Sequence, residues 1–354
     1  MGLPEINITF KTLAATAMQR SQKGVVAVIL KDNGVQGGIS LTDVTDIPAG
    51  LSEKNKGYLQ RTFVGYINPP RKVLAFCYDG TDGTLTDALS HFETQQFDYL
   101  AGAPDQSAED AGTIAAWIKS QRQNHHMVKA VLPNQSSDSE GIVNFTGTGM
   151  TDGAATFTAA EYCSRIAGLI AGTPMTISCT YAPLPELTDV TRLTDEELDA
   201  KVEAGELVLK HDGEKVKIGR GVNSFVTTTQ DKGEAFQKIK IVEAVDMIQS
   251  DIRRTVEDSY IGKYANSYDN KCLLIMAIKG YLEGLELDGI LETATSRVEI
   301  DLKKQENYLK STGVDTEGMS EQEIKQAGTG SKVFLKASVQ ILDAIEDVEL
   351  AFTI

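Results

Sequence analysis

Strand-like and helix-like segments alternate through the first half of the chain, and this alternation restricts the fold more than any other feature. Short apolar runs typical of buried strands are each followed by an amphipathic stretch. The order is strand 73–78, helix 85–94, strand 97–100, helix 108–122 and strand 127–132. Strands joined through helices run in the same direction, so the pattern predicts a parallel sheet with right-handed crossovers.

The same layer extends along the chain on both sides of this region. The continuous apolar run 24–30 predicts a strand buried on both faces. A strand over 141–145 and a helix over 158–171 are expected to continue the layer. Prolines punctuate the chain after this helix, up to Pro185, and mark the predicted end of the layer.

Beyond Pro185 the chain becomes richer in charge and mixes helices with a hairpin. Thr194 and Glu197 have the spacing of a capping box, which predicts a helix start. The short apolar runs 207–209 and 216–218 flank an Asp-Gly pair, which is typical of a β-hairpin.

Two long helices and a strand pattern complete the second half. Apolar residues three and four positions apart predict one helix between 236 and 256 and another over about 269–287. Apolar residues alternate from Val333 to Ile341, which predicts a strand. The predicted domains are an N-terminal linking arm (1–20), an α/β domain (21–185), an α+β domain with the hairpin and both long helices (186–332), and C-terminal strands with a linking arm (333–354). The fold class is therefore α/β plus α+β, with a mixed sheet, flanking helices and extended strand arms.

Both ends of the chain carry alternating apolar residues. These are Ile6, Ile8 and Phe10 at one end and Leu350, Phe352 and Ile354 at the other. An unpaired strand edge promotes association, so natural proteins normally cover it. Two interpretations remain open: both strands return to the protein's own sheet, or each is added to the sheet of a neighbouring subunit.

Charge and composition exclude several classes of protein. Lys and Arg total 34 against 50 Asp and Glu, giving a net charge of −16, which argues against nucleic acid as a partner. The longest weakly polar stretch, 162–173, is too short to cross a bilayer, which needs about 20 residues. No secretory signal precedes the first strand pattern, so we expect a cytoplasmic protein with reduced, buried cysteines.

Candidates for catalysis are few. His91 and His211 lie in ordinary helix and turn contexts, and one ring of the His125–His126 pair binds a metal only if carboxylates converge on it from elsewhere. Arg253 and Arg254 suit either an acidic partner or a solvated helix face that pairs with Asp251 or Glu257.

Two loops resemble ligand sites by composition alone. Asp79 and Asp82 follow a predicted strand and suit a cation, but the loop lacks the acidic residue that an EF-hand requires. The run 328–332 has glycines and a lysine without the spacing of a phosphate-binding loop. We therefore predict no catalytic residue, no metal and no cofactor.

Specific sequence segments resemble a known family. The stretch 254–271, RTVEDSYIGKYANSYDNK, and the stretch 330–348, GSKVFLKASVQILDAIEDV, are similar to contractile tail sheath proteins. The opening GLPEINITF, residues 2–10, is similar too. The likeness spans most of the chain and is strongest to the compact sheaths of contractile phages, defective prophages and R-type bacteriocins of Gram-positive bacteria.

The resemblance implies a structural protein that polymerises as a helical sleeve around an inner tail tube and contracts to drive the tube through a cell envelope. It implies baseplate and tail terminator proteins as further partners, no membrane insertion, assembly in a bacterial cytoplasm and, after release, a place in a phage tail or phage-like particle. It assigns subunit linking to the two terminal arms and thus to the alternating apolar residues at both ends.

Contact with the tube is assigned to a helical element with Glu321, Lys325 and Gln326. Two rival functions stay open. A doubly wound α/β enzyme acting on a small molecule requires a polar site near Asp79 and Asp105, and a non-contractile shell or tube protein requires only one lattice.

Overall fold

The computed structural model describes residues 18, 20, 23–81 and 83–353. The strands in this part of the chain are β1 (Val25–Lys31), β2 (Gly37–Leu41), β3 (Lys72–Tyr78), β4 (Tyr99–Ala101), β5 (Lys129–Pro133), β6 (Ile142–Phe145), β7 (Met150–Thr151), β8 (Thr156–Phe157), β9 (Glu206–Leu207), β10 (Leu209–His211), β11 (Val216–Ile218), β12 (Arg297–Ile300) and β13 (Leu335–Ser338). The α-helices are α1 (Glu53–Val64), α2 (Leu85–Glu93), α3 (Ala108–Gln123), α4 (Ala159–Ala171), α5 (Asp195–Glu203), α6 (Ile239–Ser259), α7 (Tyr268–Leu287), α8 (Leu302–Ser311) and α9 (Glu321–Gln326).

The chain divides into two compact units. Among the described residues, the larger contains those from 23 to 250 and from 342 to 353, and the smaller contains 251–341 with residues 18 and 20. This division differs from the expected boundary at residue 185. The reason is that the segment after Pro185 adds β9 to the main sheet, beside β6, and buries apolar side chains of β10 and β11 in the same core.

A seven-stranded mixed sheet forms the centre of the larger unit. Its strand order is β2-β3-β1-β4-β5-β6-β9, and every pair is parallel except β2 with β3. The expected alternation of strands and helices is confirmed from β3 to β5. The sheet is mixed because β2 returns along β3 as an antiparallel edge strand.

Strand β1 lies between two hydrophobic cores. Val26, Val28 and Leu30 belong to the core on one face, together with apolar residues of α1 and α4. Val25, Ala27 and Ile29 belong to the core on the other face, with residues of α2 and α3. Successive side chains of a strand point to opposite faces, so the six consecutive apolar residues of β1 require a helical layer on each side.

Local sequence fixes where several helices begin. In a capping box the N-cap side chain accepts a hydrogen bond from the third helical amide, while the third side chain accepts one from the N-cap amide. Among the described residues, complete boxes start five of the α-helices, with N-caps at Thr84, Ser107, Thr158, Thr194 and Ser320. The box predicted at Thr194 is confirmed.

Some helices and strands that lack a regular spacing of apolar residues were not predicted from the sequence. Helix α1 has no counterpart in the sequence prediction, because its sequence EKNKGYLQRTFV is mostly polar and contains a glycine. Strand β2 begins with two glycines, which sequence propensity disfavours in strands. The predicted hairpin forms between β10 and β11, but Leu207 belongs to β9 in the main sheet. The terminal alternation is not part of any strand in residues 342–353.

The smaller unit combines the second half of α6 with α7, α8, α9 and the antiparallel pair β12–β13. Helix α7 lies against β12, and α8 lies against α9. The hydroxyl of Tyr281 on α7 donates to Asp251 Oδ2 at 2.8 Å, and that carboxylate is fully buried. Part of the predicted strand 333–341 is confirmed as β13, whereas its partner β12 was not predicted.

Asn266 joins two distant parts of the smaller unit. Its Nδ2 donates to the carbonyl oxygens of Gly330 at 2.8 Å and Lys332 at 2.9 Å, with Thr329 Oγ1 at 3.0 Å. The loop before α7 is thereby tied to the loop before β13. These loops lie in the two segments that carry the family resemblance.

The turn after β1 is held by a buried carboxylate. Asp32 accepts hydrogen bonds from the amides of Gly34 (2.8 Å) and Ser52 (2.9 Å) and from Asn55 Nδ2 (2.7 Å). Burial by itself raises the pKa of this carboxyl, but the three donors outweigh it and lower the pKa to about 2.

We expect Asp32→Asn to lower the free energy of unfolding by about 1–2 kcal/mol at pH 7. Because the folded-state pKa is depressed, the ionised form stabilises the fold above pH of about 4, and this contribution is lost as the pH falls towards about 2. Urea unfolding at pH 7 and pH 2.5 measures the difference. The control is Asp231→Asn, at an exposed position. If the difference in free energy of unfolding between Asp32→Asn and the parent is the same at both pH values, the stabilising role of the ionised Asp32 is contradicted.

We expect Asn266→Ala to lower the free energy of unfolding by about 1–3 kcal/mol, because two carbonyl groups lose their donor. Chemical denaturation measures this loss. The matched control is Asn307→Ala, at an exposed position of α8 in the same unit, for which a change within about 0.5 kcal/mol is expected. Equal effects of the two substitutions would refute the role of Asn266.

Candidate functional site

The histidine side chains have separate local contacts. The ring of His91 lies 4.8 Å from that of Phe76, and His126 Nδ1 is 3.0 Å from Gln121 Oε1. His211 Nδ1 accepts a hydrogen bond from the amide of Gly213 at 3.0 Å. Across the residues that the structure describes, no three His, Cys, Asp or Glu side chains are arranged to hold a metal ion.

In the two loops that resemble ligand sites, described polar side chains contact other groups of the protein. Asp79 Oδ1 accepts from the amides of Thr81 at 2.9 Å and Gly83 at 3.1 Å, so the carboxylate closes its own turn. Asp82 lies outside the described residues, and Asp105 is exposed after β4. In the run 328–332, the buried Thr329 donates to the carbonyl of Lys332 and accepts from Lys271 Nζ at 3.2 Å.

The cysteines are free thiols, as expected. Cys77, Cys163 and Cys179 are buried, whereas Cys272 is partly exposed, which differs from the expectation that all four are buried. Burial raises the pKa of Cys77 and of Cys179 to about 12. Because the thiolate is the nucleophile, these two side chains are poorly suited to covalent catalysis.

A buried network of charges lies where the parallel strands begin. Lys129 at the start of β5 is 3.2 Å from Glu243 Oε1 and 3.1 Å from Asp246 Oδ2, both on α6. Lys23 Nζ, just before β1, is 2.6 Å from Glu243 Oε2. The hydroxyl of Tyr99 donates to Glu243 Oε1 at 2.5 Å. The first half of α6 is thus fastened to the amino edge of the sheet.

The network continues to helix α3. Arg122 makes two contacts with Asp246, at 2.8 and 2.9 Å, and its Nη2 lies 3.3 Å from Glu140, which is also 2.7 Å from Lys232 Nζ. Burial alone raises the pKa of Glu243, but the ammonium groups of Lys129 and Lys23 reverse this and lower it. All the ions have opposite partners, which is the pattern of a structural network. Ligands of open α/β sheets bind at the opposite, carboxyl edge.

Arg253 and Arg254 pair within their own helix. Arg253 Nε lies 2.8 Å from Glu257 Oε1, and Arg254 Nη2 lies 3.0 Å from Asp251 Oδ1. The predicted pairing of these arginines with Asp251 or Glu257 is confirmed. None of the described helices combines the length and apolar character that crossing a bilayer requires.

The predicted linking residues are only partly within the described chain. Ile6, Ile8, Phe10 and Ile354 lie outside the described residues. Leu350 and Phe352 are described, and their exposed fractions are 72% and 83%. Such large apolar side chains are normally covered, so their exposure marks a surface that suits a partner.

The predicted tube-contact residues lie on the short helix α9. Glu321 and Gln326 are exposed and Lys325 is half-buried. Gln305 of α8 donates from Nε2 to the carbonyl oxygens of Ile324 at 2.5 Å and of Lys325 at 3.1 Å. The helix therefore presents charged side chains from a supported position.

Just before the exposed end, an acidic segment lies on a basic surface of the larger unit. We call residues 342–347 the acidic segment, and residues 348–354, of which 348–353 are described, the apolar tail. The side chains that contact the acidic segment form the basic seat, which consists of Ser178, Thr180, Arg220, Lys238 and Lys240. Sequence analysis did not identify this seat. Lys238 and Lys240 at the start of α6 were the available signal, but nothing in the sequence joined them, or the distant Arg220, to residues 342–347.

Comparison with known proteins places these features in context. The profile described as phage tail sheath protein central domain matches residues 80–224, and the phage tail sheath C-terminal domain matches residues 231–354. The tail sheath protein of Clostridium phage phiCD119 is 41% identical over 355 residues, covering 99% of this chain and 98% of that protein. The phage-like element PBSX protein XkdK of Bacillus subtilis is 30% identical over 176 residues, which cover 49% of this chain and 38% of that protein.

Solved structures share the fold. The sheath tail protein from Desulfitobacterium hafniense superposes with a TM-score of 0.69 at 18% identity, covering 84% of this chain and 94% of that one. The helical sheath of the anti-feeding prophage in its contracted state gives a TM-score of 0.72 at 15% identity, covering 100% and 99%. With matching profiles over most of its length and 41% identity to a tail sheath protein, the chain belongs to the phage tail sheath family.

Proposed function

We propose that this protein is the repeating subunit of a contractile tail sheath that polymerises helically around an inner tube and shortens to drive the tube through a cell envelope. The observation that carries the proposal is 41% identity to a tail sheath protein over almost the whole chain. The shared fold with a contracted sheath supports it.

Subunits are linked through the ends of the chain. Leu350 and Phe352 are exposed at alternate positions, which suits addition of a strand to a neighbouring sheet. We assign the same role to Ile354 at this end and to Ile6, Ile8 and Phe10 at the other end. Because the donating and accepting surfaces differ, the contact is head-to-tail and grows rings or helices. One such link is weak, but a lattice in which every copy donates and accepts is persistent.

Contraction requires two packings of one folded subunit. The extended lattice is metastable and the contracted lattice is lower in energy, so the work comes from contacts between subunits and needs no nucleotide. The larger unit suits this task because its sheet lies between two close-packed cores, which resist deformation. The subunit bodies rotate as rigid blocks while the terminal arms keep them connected.

The inner tube protein, baseplate proteins and tail terminator proteins are the remaining partners, and α9 is the surface that we assign to the tube. Assembly takes place in the bacterial cytoplasm, and the released particle carries the sheath. The subunit is structural and has no catalytic role. Negative-stain imaging of the purified protein tests the proposal: filaments of two diameters are expected. A small closed oligomer favours the α/β enzyme, and one fixed diameter favours a non-contractile shell.

We expect Leu350→Asn with Phe352→Asn to leave a folded subunit that no longer forms sheaths, because both side chains are exposed in the single chain. Far-ultraviolet circular dichroism checks the fold, and electron microscopy checks assembly. Truncation after Asp347 is expected to have the same effect.

The matched control is Ala351→Asn with Thr353→Asn, which places the same polar side chains at the intervening positions of the tail. This control is expected to assemble, since an added strand buries alternate residues. Normal sheaths from the Leu350/Phe352 variant, or equal defects in both variants, contradict the proposed register.

We expect Glu321→Lys and Lys325→Glu to loosen the sheath from the tube without preventing sheath polymerisation. Each substitution reverses a charge on α9 in the smaller unit. Co-sedimentation of tube protein with sheath measures the contact, and Lys303→Glu, at an exposed position of α8, is the control. Unchanged co-sedimentation in both α9 variants means that the tube binds elsewhere.

A further inference from the structure

Glu346 is the most deeply held residue of the acidic segment. Its Oε1 accepts hydrogen bonds from Thr180 Oγ1 at 2.6 Å and Ser178 Oγ at 3.1 Å. Its Oε2 lies 3.3 Å from Arg220 Nε and 3.2 Å from Lys238 Nζ. Only 5% of this side chain is exposed. A carboxylate removed from water to this extent is costly unless it is paired, and here two cations and two hydroxyls surround it.

The neighbouring residues make contacts of the same kind. Asp343 pairs with Lys238, and Asp347 pairs with Arg220. Lys240 donates from Nζ to the carbonyl of Leu342. The acidic segment is therefore held along its length by charge and by a backbone contact.

The basic seat is ordered by bonds that do not involve the acidic segment. Thr180 Oγ1 accepts from the amide of Gly221 at 2.9 Å, and Ser178 Oγ accepts from the amide of Thr180 at 3.1 Å. The amide of Ile239, at the start of α6, donates to the carbonyl of Gly221 at 3.0 Å. Three separate parts of the larger unit thus form a preorganised receptor.

The apolar tail has the opposite character. From Val348 onward the large apolar side chains are exposed, with fractions of 76% at Val348 and 83% at Phe352. Residue 347 therefore marks the boundary between the acidic segment, which is bound to the basic seat, and the apolar tail, whose large apolar side chains are exposed. The seat is also a cluster of positive charge in a protein of net charge −16, which makes it selective for an acidic peptide.

We propose that the acidic segment and the basic seat form an ionic latch within one subunit, so that at this end of the chain the apolar tail, and not the acidic segment, reaches a neighbouring copy. The role of the apolar tail in reaching a neighbour rests on the proposed sheath function, whereas the latch itself does not. The alternative occupant of the seat is the acidic segment of an adjacent copy, which the experiment distinguishes.

Zero-length cross-linking with a carbodiimide tests which chain occupies the seat. Chains labelled with heavy isotopes are mixed with unlabelled chains, assembled and treated, and peptides joining Lys238 to Asp343 or Glu346 are identified by mass spectrometry. We expect only uniformly light or uniformly heavy pairs, as for the internal reference pair Lys210–Asp195, whose atoms are 2.6 Å apart. Mixed pairs as frequent as uniform ones, or no such cross-link, overturn the latch.

Cleavage after Glu346 by a glutamate-specific protease tests the latch in the unassembled chain. Replacing both cations, Arg220→Gln with Lys238→Gln, is expected to speed this cleavage about tenfold or more. Lys210→Gln, which breaks an ion pair elsewhere in the larger unit, is the control and is expected to leave the rate unchanged. If the double variant fails to fold, Asp343→Asn together with Asp347→Asn weakens the same contacts from the segment and keeps Glu346 as the cleavage site, so cleavage after Glu346 is again expected to accelerate.

An unchanged rate in the folded variants overturns the latch. The result is separable from the proposed function because the protease assay needs no polymer. A latched chain that never forms sheaths contradicts the sheath function alone. Sheaths built from chains with unprotected segments contradict the latch alone.

Discussion

The fold of the larger unit depends on the burial of β1 on both faces. Six of its seven residues, VVAVIL, lie between two cores, and alternate side chains pack into each core. A strand of this kind has no polar face to expose to water, so it requires neighbouring strands along both edges and helices on both faces. The sheet order and the three layers follow from that requirement. The result is a body whose interior has little freedom to rearrange.

Polar groups are placed where they reinforce this body. At the amino edge of the sheet, the ions around Lys129 and Glu243 join α6 to β5 and to the start of β1. At the carboxyl edge, Asp32 accepts hydrogen bonds from the amides of Gly34 and Ser52, and Asp79 accepts one from the amide of Thr81. An enzyme of this architecture concentrates free polar groups at the carboxyl edge. The observed placement favours stability of shape, which suits a subunit that transmits force.

Sequence reasoning succeeds where one physical signal dominates. Continuous apolar runs gave β1 and β3, and the Thr194 capping box gave the start of α5. Sequence reasoning fails where tertiary contacts determine the secondary structure. The polar helix α1 is held by a few buried residues such as Tyr58 and Leu59, and β12 becomes a strand by pairing with β13.

Prediction from sequence has the same limit for the candidate functional surfaces. Alternation at Leu350 and Phe352 pointed to a linking role, and their exposure agrees with it, although the role itself stays a proposal. The basic seat escaped prediction because Thr180, Arg220 and Lys238 are far apart in the chain and converge only after the sheet and α6 have formed. The family resemblance supplied function, which no pattern of catalytic groups would have supplied.

The position of Glu346 sets a length scale for the polymer. If the chain is held at residue 347, Phe352 lies five residues further on and reaches at most about 17–18 Å from that point when fully extended. The acceptor strand of an adjoining copy must then stay inside that radius in every lattice the particle adopts. A connection this short permits neighbouring subunits to rotate and slide against each other, but it limits the distance between them. A rearrangement of one subunit therefore passes to the next, and the subunits do not rearrange independently.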